Sequence, residues 1–91
     1  MANVPSSATF ENAAKIALEE DRPILLDYWA GSLDKSVLIG VRENNEKMLV
    51  KNPEEYTSPI QKIYKIGEEY IISTENSLYI VSCGIPTKRI N

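Results

Sequence analysis

The chain has 91 residues, with ten Lys+Arg against thirteen Asp+Glu, no His and one Cys, for a formal net charge of −3. The lack of His removes Ser-His and Cys-His catalytic pairs, imidazole metal sites and a histidine pH switch. A single Cys removes an intrachain disulfide, a Cys-x-x-Cys redox pair and a four-Cys zinc site.

A chain of this length makes one domain. Its 43% hydrophobic and 25% charged residues suit a globular fold rather than a disordered chain. No apolar run approaches the ~18 residues a membrane helix needs. Met1 to Ser7 lacks the basic and apolar blocks of a secretory signal. One unpaired Cys fits a reducing compartment, so a cytoplasmic location is expected. Residues 1–8 are expected as a flexible lead-in, 9–83 as the domain and 84–91 as a tail outside the sheet.

Thr9 reads as an N-cap, with Glu11 in the first turn. Phe10, Ala13, Ala14, Ala17 and Leu18 then fall within one arc, with Glu11, Asn12, Lys15, Glu19 and Arg22 opposite. This predicts an amphipathic helix of about three turns. Pro23 ends it, because the residue before a proline leaves the α region. The apolar period then changes to two. Ile24–Trp29 reads as a strand, Ala30–Asp34 as a loop and Ser36–Arg42 as a second strand. Glu43-Asn44-Asn45-Glu46 reads as a hairpin turn, since Asn tolerates the left-handed conformation. Lys47–Lys51 returns as a third strand, with Met48 and Val50 opposed to Lys47, Leu49 and Lys51. Asn52–Glu55 is a turn. Ile60–Ile66, Glu69–Ser73 and Leu78–Cys83 are three more strands, with turns at Gly67 and at Glu75-Asn76.

The predicted class is α+β: one N-terminal amphipathic helix followed by an antiparallel sheet or small barrel of five to six short strands. Several strands are apolar on both faces, as at Val37-Leu38-Ile39 and Tyr70-Ile71-Ile72. One helix covers only part of one face. Either the sheet curls into a barrel or its other face meets a partner.

Thr9-Phe10-Glu11, followed by Arg22-Pro23-Ile24-Leu25-Leu26-Asp27-Tyr28-Trp29-Ala30, resembles the opening of a thioredoxin-fold domain. That resemblance implies a helix leading to a buried strand, then a Cys-x-x-Cys pair on a helix N-terminus. Here Gly31-Ser32-Leu33-Asp34-Lys35-Ser36 follows, without Cys, and a strand is expected where the family has a long helix. The resemblance covers about a quarter of the chain. It implies at most a divergent member without redox activity. Gly84-Ile85-Pro86-Thr87 resembles the proline loop of the same family, with no strand expected after it. In architecture alone, a helix before a curled sheet also resembles the Sm-like RNA-binding barrel, without its sequence signatures.

No residues stand out as catalytic, cofactor-binding or metal-binding, and no enzyme activity is expected. Cys83 reads as a structural thiol at a strand end, and Asp27 as a carboxylate on the outer side of a strand. The four glycines are isolated and build no phosphate loop. Gly40 within a strand signals a bulge, a bend or a close approach. The expected function is a non-enzymatic interaction module that binds a protein partner, or itself as a homo-oligomer, through a sheet face or edge. Tyr28, Trp29, Leu33, Tyr64 and Tyr70 are its candidate contact residues, because exposed Trp and Tyr anchor interfaces. The alternative is a single-stranded nucleic-acid-binding barrel that uses Lys47, Lys51, Lys62 and Lys65 with neighbouring tyrosines. Intervening glutamates weaken that basic field.

Overall fold

The computed structural model describes residues 4–90. The first three residues of the expected lead-in and Asn91 lie outside the described residues. Helix α1 spans Ser7–Glu20. Its N-cap is Ser6, whose hydroxyl accepts from the Thr9 N–H at 3.3 Å. Thr9, the expected cap, instead sits inside the first turn and is fully buried. The helix stops before Pro23 acts, because Asp21 turns left-handed at φ 55° and its N–H returns to the Ala17 carbonyl.

The inward face of α1 carries Thr9, Ala13 and Ile16, while Ala14 and Leu18 are exposed. This corrects the expected stripe, which is turned by less than one residue step. Alanines populate both sides of the arc and cannot set its angle. Ile16, with far more apolar surface, and the polar anchors at both ends of the helix do.

Strand β1 is only Ile24–Leu25. The expected strand to Trp29 breaks at a turn in which the Trp29 N–H bonds the Leu26 carbonyl. The expected loop is a short helix, α2, at Trp29–Leu33. The Ser32 hydroxyl donates to the Trp29 carbonyl at 2.6 Å and accepts from the Ser82 N–H at 2.9 Å. The remaining strands are β2 (Leu38–Val41), β3 (Lys47–Asn52), β4 (Glu55–Tyr56), β5 (Ile60–Ile66), β6 (Glu69–Thr74), β7 (Leu78–Ser82) and β8 (Thr87–Arg89). Asn45 and Gly67 adopt positive φ, 69° and 59°, at the two hairpin turns where the sequence places them.

The fold is α+β with two mixed four-stranded sheets, ordered β1-β7-β6-β5 and β4-β3-β2-β8, and neither closes into a barrel. Two pairings are parallel, β1 with β7 and β2 with β8. An all-antiparallel sheet is therefore corrected. Short turns force antiparallel pairing only between strands adjacent in sequence, and both parallel pairs join distant segments. Thr87–Arg89, expected outside the sheet, forms an edge of the second sheet. A strand thus does follow the Pro86 loop. The thioredoxin resemblance implies a buried strand after the helix and then a long helix, whereas β1 is two half-buried residues and strands follow the short α2.

The layers run α1, first sheet, second sheet. Between α1 and the first sheet lie Ala13, Ile16, Trp29, Ile71, Leu78 and Ile80. Between the sheets lie Tyr28, Val37, Ile39, Leu49, Ile72, Val81 and Ile85. The two-sided apolar strands β6 and β7 are thus satisfied within the chain. Ile71 and Ile80 face the helix, and Ile72 and Val81 face the second sheet. Neither barrel closure nor a partner is needed to cover them.

Candidate functional site

The five expected contact residues do not share a surface. Tyr28 and Trp29 are 8% and 7% exposed and point into different layers. The Tyr28 ring packs edge-on against Tyr79 at 5.3 Å, with the Lys51 ammonium 5.0 Å above it. Burial raises the Tyr28 phenol above its ordinary value, helped by Tyr79, Glu55 and Asp27 nearby. Leu33 is exposed at the end of α2. Tyr64 and Tyr70 are half-buried on opposite faces of the first sheet. Tyr64 packs toward α1, where its hydroxyl bonds Glu20 at 3.3 Å, and Tyr70 packs toward the second sheet.

The four lysines are dispersed as well. Lys62 lies 4.0 Å from Glu20 on the helix side of β5. Lys65 pairs with Tyr70 on the other side. Lys51 is occupied over Tyr28. Lys47 and Lys62 line one open cleft, which Glu46 shares. No continuous row of cations and stacking rings results.

Asp27 is exposed in the turn before α2, and Cys83 is half-exposed just past β7, not buried. Asp34, also exposed, is held below the ordinary carboxyl value by the Ser36 hydroxyl and N–H. Among the described residues, no group of three or more Cys, Asp or Glu could hold a metal ion.

Two polar clusters fasten α1 to the first sheet. Glu69 of β6 accepts from the Ser6 N–H and hydroxyl and from the Thr9 hydroxyl. This carboxylate sits where the unpaired N–H groups of a helix start favour negative charge. At the other end Arg22 Nη1 donates to Glu20 at 3.2 Å, Ser73 at 2.8 Å, Gln61 at 3.0 Å and the Thr74 carbonyl. Arg22, expected on the solvent side, is therefore a clasp between helix and sheet.

What the fold leaves uncovered is the outer face of the second sheet. Register places Leu38 beside Val50 and Val50 beside Tyr56, with Gly40 beside Met48. Their strand neighbours Ile39 and Leu49 point inward, so this outward row is apolar too. Gly40 is where the backbone is approached closely. A Cβ there would lie 2.6 Å from Ile90 Cδ1 and 3.0 Å from Val50 Cγ2. The missing side chain lets Ile90 fold over the sheet, and Met48 becomes 3% exposed although it faces outward. Arg42 reaches across to the Tyr56 ring, 5.9 Å from its centre. Tyr56 itself is 52% exposed.

These side chains outline a groove of about 470 Å³. Among the described residues lining it, the only charged groups are Arg42 and Lys51. No other described element lies over it. The sequence carried a signal for it. Leu38, Met48 and Val50 alternate with core residues on two successive strands, and Gly40 interrupts the first. Sequence reasoning missed it because Tyr56 and Ile90 join the face only through pairing.

No family model, no curated protein and no solved structure matches the chain.

Proposed function

We propose that the protein is a small non-enzymatic interaction module that seats a protein segment in the groove on the outer face of the second sheet. The segment offers apolar side chains to Leu38, Val50 and Ile90 and a carboxylate to Arg42. One observation carries this reading. The half-buried apolar residues Leu38, Val50 and Ile90 and the exposed Tyr56 line one groove that no other described element lies over, and the charged groups lining it are positive. Tyr and Arg, with Trp, are the residue types enriched among those that dominate interface energetics, and here Arg42 lies beside the exposed Tyr56.

The test is titration of the protein, followed by NMR, with an amphipathic peptide bearing leucines and glutamates, and with the same peptide bearing lysines for glutamates. The acidic peptide is expected to shift Val50, Tyr56 and Ile90 signals. Tyr56→Ala is expected to weaken it by ~2 kcal/mol, roughly 30-fold. Equal binding of the lysine peptide, or shifts confined to other surfaces, overturns the reading.

A further inference from the structure

We infer that the groove is filled by the outward side of α1 from a second copy of the chain, so that copies stack head to tail. This rests on the groove being the binding surface. Leu18, on the outward side of α1, is 85% exposed, the highest value among the exposed large hydrophobics of the described residues. Around it Glu11, Glu19 and Asp21 are exposed, against the single cation Lys15. Ala14, one turn before Leu18, is exposed and small, so the helix can approach a flat surface closely. The groove offers the complement: an apolar floor with Arg42 at its side, beside Tyr56. The net-negative helix face thus matches a groove lined only by positive charge.

The layer order sets the symmetry. The outward side of α1 and the groove lie on opposite outer layers of the same chain, with both sheets between them. Contact between these two different surfaces is heterologous. Each added copy then presents one free groove and one free helix, and growth continues past the dimer unless a ring closes. A symmetric dimer, in which each copy offers the same patch, would stop at two.

Sedimentation velocity over a concentration series tests this. The wild-type chain is expected to exceed dimer mass as concentration rises. Leu18→Glu removes the anchor, and Tyr56→Glu or Arg42→Glu spoils the groove. Each is expected to weaken association at least about tenfold while leaving far-UV circular dichroism unchanged. An equimolar mixture of Leu18→Glu and Tyr56→Glu is decisive. The first keeps a sound groove and the second a sound helix, so the mixture is expected to form a 1:1 dimer and nothing larger. A wild-type chain that stays monomeric, a Leu18→Glu chain that still assembles, or a mixture that stays monomeric overturns the inference. If the monomer nonetheless binds the acidic peptide in its groove, only self-stacking falls. If it binds neither, the groove reading falls too.

Discussion

Thr57→Val separates hydrogen bonding from hydrophobic burial next to Tyr56, where β4 is held to β3. Thr57 is 6% exposed, between β4 and β5. Its N–H bonds the Leu49 carbonyl at 2.9 Å, and its hydroxyl accepts from the Leu49 N–H at 3.1 Å. The hydroxyl also donates to the Ser58 carbonyl at 2.8 Å. Leu49 is fully buried, so water cannot replace the lost acceptor for its N–H. Ser58 is half-buried, and water can reach its carbonyl. Valine keeps the shape and adds a methyl, and burial alone would make it neutral or stabilising. An unpaired buried donor costs ~1–3 kcal/mol, so the expected net loss is ~2 kcal/mol. For a domain of this size that lowers Tm by roughly 8–16 °C. Thr57→Ser keeps the hydroxyl and loses one methyl, a cost of ~0.8 kcal/mol. Urea and thermal melts of the three chains measure the order, and hydrogen exchange at the Leu49 amide localises it. A valine chain as stable as the serine chain would refute the argument that Thr57 holds β4, and with it Tyr56, against β3.

Trp29, the sole tryptophan, is expected to emit at short wavelength and to resist iodide quenching, and ready quenching would contradict its burial between α1 and the first sheet. Tyr28 titrates above its ordinary value of 10.0 in the fold. The fold therefore holds this proton more tightly than the unfolded chain does. Its contribution is complete below the unfolded value and disappears as pH climbs through the folded one. Tyr28→Phe is expected to flatten the loss of stability above about pH 10, and an unchanged alkaline slope would assign that loss elsewhere. Glu69→Ala is expected to cost ~1 kcal/mol and to speed amide exchange in the first turn of α1, whereas Glu68→Ala, at an exposed neighbour, leaves both unchanged.

The local features were legible in the residues themselves. Helix α1, the turns at Asn45 and Gly67, and strands β5 to β7 depend on short-range periodicity and turn chemistry. What failed was any inference that needed a distant partner. Lys47-Met48-Leu49-Val50-Lys51 shows this most clearly. The strand alternates, and alternation says only that Leu49 opposes Met48 and Val50. The packed layers decide which side is core. Leu49 goes inward between two lysines, with the Lys51 ammonium resting over Tyr28 at the edge. Met48 and Val50 go to the outer face, Met48 buried there and Val50 half-buried. Tyr28 and Trp29 followed the same logic. Both were expected as contact residues, but each is buried in a different layer.

By itself, then, the sequence determined a single small α+β chain without histidine or paired-cysteine chemistry, one amphipathic helix, and the strands joined by tight turns. These follow from composition and from contacts a few residues apart. Only the tertiary structure decided the division into two sheets, the parallel pairings of β1 and β8, and the groove over Gly40. Those depend on which surfaces distant segments bury against each other, and strands apolar on both faces leave that choice open until the layers assemble.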